Sequence, residues 1–323
     1  MNTHRATTDL RTVSFPEKDE PLRRDVHLLG SIVGEVVEEQ AGRARFEQVE
    51  AARVSAIARR EGDARAGADL DQRLSGLVPS EASELARAFS TYFQAVNLAE
   101  QVHRVRRGRA YLRAGEAQDG STLATLHILA ERGLDRSAAT ELIGRILVEP
   151  VFTAHPTEAT RRIILEKQRR VAERLIERLD PSRTPRDERS LLGRIRTELT
   201  TAWQTEEHPG LRPRVRDESE HVHFYLSEVL YDVVPVLTEV IEEALEDGFE
   251  DGFGTTDAES NGGTVLPVRF ASWVGGDMDG NPNVGADTLL ETLDRHREVV
   301  LARYERDLRS LARRLSQSRP EVE

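Results

Sequence analysis

The sequence predicts a mostly helical chain that contains the opening part of an α/β barrel. Three observations carry this reading. Apolar residues recur at helical spacing over most of the length. Two short β-rich runs, near 148–154 and 265–273, interrupt that pattern. Each run empties into a loop rich in residues that carry chemistry. A lone strand must pair to persist. Parallel strands joined through helices build barrels whose chemistry sits at the strands' C-terminal ends. The expected organisation is a disordered tail over 1–20, a helical region over 21–147, and over 148–323 the start of a β/α barrel with a large helical insertion.

The helical region reads in order. Positions 22–40 place Val26, Leu29, Ile32, Val33 and Val36 on one face. A second helix covers 46–60. A third starts after Ser80, a candidate N-cap. Two more lie within 123–132 and 138–147, with Gly and Asp clusters as loops between the elements. Val151, Phe152, Thr153 and Ala154 then read as a buried strand. Helices follow over 160–179, about 188–206 and 217–245, with Pro235 expected to kink or break the last near Val234. The acidic, Gly-rich segment 247–264 reads as a surface loop. After the second strand, a final helix starts near Asp287, with Thr288 and Glu291 as a capping-box candidate. Glu291–Arg295 and Glu305–Arg309 are expected as i,i+4 pairs.

Composition narrows the function classes. The 323 residues contain no Cys, which excludes disulfides and thiolate chemistry. The net charge of −12 argues against nonspecific nucleic-acid binding, which needs a basic surface. No apolar run has the length of a membrane span, and the first 30 residues lack a signal-peptide stretch. A cytoplasmic protein is expected. Lysine occurs only at Lys18 and Lys167, the other basic residues being arginine, a composition that predicts salt adaptation.

Two segments hold candidate chemistry. His155 follows the first strand, and Pro156 disfavours the helical conformation for it. A histidine at a rigid strand end suits proton handling; Arg161 and Arg162 on the next helix could hold an anion or pair with carboxylates, and Thr157 is a substrate-binding or site-shaping candidate. Taken alone, His155 fits a locally hydrogen-bonded side chain better than a catalytic one. The second loop carries Trp273, Gly275, Gly276, Asp277, Asp279 and Asn281. It reads either as a backbone nest that orients other groups or as a Gly/Asn/Pro turn with an Asx cap. A calcium loop is disfavoured, because Thr288 stands where the closing Glu belongs and Pro282 intrudes. His221 and His223, two apart on a helix, point away from each other and are a poor metal pair.

The run VFTAHPTEATRR (151–162) resembles the first signature of phosphoenolpyruvate carboxylases, and FASWVGGDMDGNPNV (270–284) is similar to that family's second, where Met278 replaces the usual Arg. Residues 88–101 and 201–218 carry weaker similarity. The resemblance implies a helix-rich β/α-barrel enzyme that condenses phosphoenolpyruvate with bicarbonate to oxaloacetate and phosphate. The implied route passes through carboxyphosphate and the enolate of pyruvate, with Mg2+ or Mn2+. It implies that His155 acts on carboxyphosphate. It also implies that the family's phosphoenolpyruvate loop, metal carboxylates and catalytic lysine lie past Glu323. The chain then needs the remaining C-terminal part for activity, and the complete enzyme is expected to be a homo-oligomer. The competing reading is a noncatalytic helical interaction subunit or an inactive truncated product.

Overall fold

A computed structural model of the chain describes residues 16–153, 162–206, 214–249, 268–279 and 281–315. A 3-10 turn, Glu17–Asp19, leads into α1 (Glu20–Ala41). Next come α2 (Arg43–Arg60), α3 (Ala64–Ser75), α4 (Pro79–Ala114), α5 (Thr122–Glu131) and α6 (Arg136–Gly144). Strand β1 (Val151–Phe152) precedes α7 (Arg162–Glu177), α8 (Pro185–Trp203), α9 (Val215–Tyr225) and α10 (Tyr231–Gly248). Strand β2 (Ala271–Ser272) and α11 (Ala286–Arg314) follow. The elements form two compact units, one from residues 1–113 and 160–208 and the other from 114–159 and 209–323. No helix among the described residues is long and apolar enough to cross a membrane.

The first unit is built on the predicted face of α1. Leu29, Val36 and Val37 bury there against Ala95, Ala99 and Val102 of α4, Val171 and Leu175 of α7, and Ile195 and Trp203 of α8. Ile195 is fully buried. Ile195→Val removes one methylene from this site and is expected to cost about 1 kcal/mol, read as a shifted urea midpoint at unchanged slope. Helix α8 starts earlier than its apolar period suggests, because a capping box sets the boundary. The Asp187 N–H donates to the Thr184 hydroxyl, and the Thr184 N–H donates to the Asp187 carboxylate at 3.0 Å.

Two boundaries in this unit differ from expectation. Ser80 is not an N-cap but lies inside α4, which begins at Pro79. Proline suits the first helical position, and Glu81 accepts from the Val78 N–H at 3.2 Å. Helix α3 falls where only a loop was expected. It buries just Leu70, and the Gly and Asp residues around it read as loop. Asp63 caps it, accepting from the N–H groups of Arg65 and Ala66 at 2.9 and 3.3 Å.

In the second unit, Leu126 of α5, Ile143 of α6, and Ile241 and Leu245 of α10 share a core. The expected break at Pro235 does not occur, and α10 runs through it. The irregularity sits one turn earlier, where residues 226–230 form a π turn closed by the Tyr231 N–H on the Leu226 carbonyl. A proline ring crowds the carbonyl four residues back. For Pro235 that residue is Tyr231, where the wide turn ends. The widened turn takes up the displacement instead of a break.

Strands β1 and β2 pair in parallel, with Val151 opposite Ala271 and Phe152 opposite Ser272. A bridge between Val148 and Val268 extends the pairing toward the strand starts. The buried strand expected at 151–154 is not buried over its described part: Val151 is 44% exposed and Phe152 half-buried. Phe152 stacks on Tyr225 of α9, with ring centroids 6.3 Å apart, while Val151 faces outward. Residues 250–267, including most of the expected loop and the start of the second run, lie outside the described residues.

Helix α11 buries a single residue, the polar Thr292, over its 29 residues, while Leu301, Tyr304, Leu308 and Leu311, and Leu315 just past its end, are all exposed.

Candidate functional site

The parallel register sends both chains out of the same end of the sheet. Thr153 follows β1, and the loop Trp273–Asn283 follows β2. A cavity of about 1280 Å³ opens there, lined by Thr153, by that loop, and by residues of α9 and α11. Among the candidate residues, Trp273, Gly275, Asp277, Asp279 and Asn281 line it. Gly276 belongs to the same turn, its N–H donating to the Trp273 carbonyl at 3.0 Å. Arg162 opens α7 and pairs with Glu166 at 2.8 Å. His155, Thr157 and Arg161 lie outside the described residues.

The loop is shaped by its own polar groups. The Asp277 N–H donates to the Trp273 carbonyl at 2.9 Å. Asp277 in turn accepts from the Asp279 N–H, and Asn281 from the Asn283 N–H, each at 3.0 Å. These are the Asx turns that the residue types allow. Gly275 takes φ +80°, and a Cβ built there would stand 2.2 Å from the Thr292 hydroxyl oxygen of α11. Glycine is thus required twice, for the backbone angle and for the close approach. Trp273 and Met278 are exposed.

The start of α11 corrects the capping-box reading. Gly285 is the N-cap residue and Thr288 lies three positions inside the helix, where its hydroxyl donates to the Asn283 carbonyl at 3.3 Å. Glu305–Arg309 forms as expected, but Glu291–Arg295 does not. Arg295 instead grips Glu220 of α9 through two nitrogens at 3.0 and 3.2 Å and also reaches Glu298. A bidentate fork outcompetes a single i,i+4 contact.

This second wall of the cavity, from α9 and α11, was not singled out as a site in the sequence. It adds Arg214, Arg216, Glu218, Glu220, Arg295 and Glu298. The available signal was the pair of arginines just before Asp217 and Glu218, at a helix start. Burial, with Asp217 beside it, pushes the Glu218 carboxyl above the usual carboxylate range. The Arg295 hydrogen bond holds Glu220 low. Among the described residues no group of three or more His, Asp or Glu side chains converges to hold a metal ion. The described carboxylates do not fit Mg2+ or Mn2+.

Behind this wall, His223 of α9 and His296 of α11 pack ring edge to ring face, with centroids 4.8 Å apart. His221 turns to Tyr225 instead, so the two α9 imidazoles diverge. Burial first, then His296, holds His223 below the usual histidine range; burial does the same for His296. Glu220 pulls His223 the other way and Arg295 reinforces the lowering. The folded state therefore binds fewer protons than the unfolded chain. The stability from this pair is complete above the unfolded value, near pH 6.5, and is lost as pH falls below it. The urea midpoint is expected to drop between about pH 7 and pH 5.5. His223→Phe should flatten that slope.

The model of the family "Phosphoenolpyruvate carboxylase" matches residues 22–323. Similar proteins include the phosphoenolpyruvate carboxylase of Xanthomonas oryzae pv. oryzae, 45% identical over 324 residues, covering 98% of this chain and 34% of the relative. That of Xanthomonas campestris pv. campestris strain 8004 is 46% identical over 323 residues, with the same coverage. That of Ralstonia nicotianae is 36% identical over 321 residues, covering 94% of this chain and 31% of the relative. The chain spans about a third of the length of these relatives.

Proposed function

Because the chain belongs to the phosphoenolpyruvate carboxylase family, we propose that it supplies the N-terminal part of an enzyme that carboxylates phosphoenolpyruvate with bicarbonate to oxaloacetate and phosphate. The observation that carries the reading is the parallel register of β1 and β2. It sets Thr153, two residues before His155, and the Gly-Gly-Asp loop at one end of one sheet, on one cavity. We read the two strands as neighbours in a β/α barrel, the arrangement in which strand C-termini carry chemistry.

In this reading His155 takes the carboxyl proton of carboxyphosphate as CO2 forms beside the enolate. An imidazole titrates in the range where that transfer runs at neutral pH. Arg161 and Arg162 stabilise phosphoryl oxygens. Gly275 and Gly276 let the loop backbone approach, and the Asx turns of Asp277 and Asn281 fix its shape. The described lining holds more carboxylates than arginines. Beyond Arg161 and Arg162, the further cations that bind the anionic substrate, the metal and its ligands therefore belong to the remaining two thirds of the enzyme. The chain alone is then inactive, and the complete enzyme is a cytoplasmic homo-oligomer.

The test is a chimera in which this chain replaces the matching third of the Xanthomonas oryzae enzyme. Oxaloacetate is measured from phosphoenolpyruvate, bicarbonate and Mg2+. Activity in the chimera and none in the isolated chain is the expected result. A well-folded but inactive chimera would favour the scaffold reading.

A further inference from the structure

The first unit contains a cavity of a different character. It has a volume of about 390 Å³ and is lined by Pro21, Arg24, Asp25, Arg106, Arg109, Arg113, Arg178 and Leu179. Five guanidinium groups face one carboxylate, in a chain whose net charge is −12. Positions 106, 109 and 113 are spaced three and four apart, which lays them along one stripe of α4. Such a concentration of like charge is unfavourable unless something neutralises it.

Two of the five arginines are already committed. Asp25 is buried and accepts from Arg106 at 2.5 Å and from Arg178 at 3.1 Å. Arg106 also donates to the Nδ1 of His103 at 3.0 Å, and Arg178 to Glu188 at 2.9 Å. These contacts tie α1, α4 and the end of α7 into a fixed rim. Arg24, Arg109 and Arg113 have no ion-pair partner among the described residues, and all three are exposed at the cavity.

We propose that this cavity binds a small multivalent oxyanion, one carrying two or more carboxylate or phosphoryl groups. Arginine presents a planar fork that matches both groups. The volume lies within the range of small-molecule sites, and the few apolar lining residues leave little to hold an uncharged ligand. Asp25, with Arg106 and Arg178, is the preorganised floor; Arg24, Arg109 and Arg113 meet the ligand. The site is separate from the carboxylation chemistry and does not depend on that reading.

Titration calorimetry of the 323-residue chain at about 0.15 M salt tests this with two probes. Pyrophosphate represents phosphoryl ligands and citrate represents carboxylates. At least one is expected to bind saturably with one-to-one stoichiometry, and the stronger probe identifies the ligand class. Arg109→Gln with Arg113→Gln should weaken that probe at least about tenfold while the urea midpoint without probe stays put. Arg24→Gln, on a different helix, gives an independent reading should the double variant unfold. Arg104→Gln, on α4 but outside the lining, should change nothing. Absence of saturable binding by both probes overturns the proposal, as does an equal loss with Arg104→Gln.

Discussion

His155→Asn in the chimera is expected to lower the rate of oxaloacetate formation by about 10²–10⁴-fold, the usual span for losing a general acid or base. Asparagine keeps similar bulk and some hydrogen-bonding capacity but cannot take up a proton near neutral pH. The deficit should therefore fall on kcat more than on KM. A control is available in Thr157→Ser, which keeps a hydroxyl at that position and should leave most activity in place. Equal activity of the His155→Asn and parent chimeras would remove His155 from the mechanism, whatever the fate of the family reading.

Gly275→Ala is expected to cost about 2–5 kcal/mol. An L-residue at positive φ costs roughly 1–2 kcal/mol, and crowding in a packed site adds about 1–3 kcal/mol. The added Cβ would stand 2.2 Å from the Thr292 hydroxyl oxygen and 3.0 Å from its Cβ. One partner must move. Thr292 is buried on α11 and its hydroxyl donates to the Thr288 carbonyl at 2.8 Å, so the loop is the part that yields. Thr292→Ala removes two of the three close contacts and should recover the steric share, leaving the backbone share. Urea denaturation of the two single variants and the double variant measures this as a coupling energy. Additive costs would show that Gly275 and Thr292 do not meet.

These two residues also show what sequence can and cannot reveal. The Gly-Gly-Asp loop was legible as a special turn, because glycine, asparagine and proline at such density permit few other backbones. That Gly275 answers to Thr292 was not legible, since the contact joins a loop to a helix through tertiary packing. The α1 face was readable from Leu29, Val33 and Val36, where burial imposes a strong period. Helix α3 was not, because the Gly and Asp residues around it read as loop and Leu70 is its one buried anchor. The break expected at Pro235 does not occur for a local reason: the sequence shows the ring but not the π turn one turn earlier. Arg295 keeps Glu298 on its own helix but passes over Glu291 for Glu220, a selection made by the approach of α9. Half of the cavity wall depends on that approach, which is why α9 and α11 were read as helices but not as site.

The leucine row of α11 has a practical consequence. A helix of 29 residues is about 43 Å long, and from Leu301 to Leu315 its water-facing leucines and tyrosine repeat every three or four positions. Oily surface of that extent resembles one half of a zipper. Handled as a free polypeptide, the molecule should clump as its concentration rises, and mild detergent should keep it dispersed. Its shelf life would then be governed by this flank rather than by the melting of either helical core.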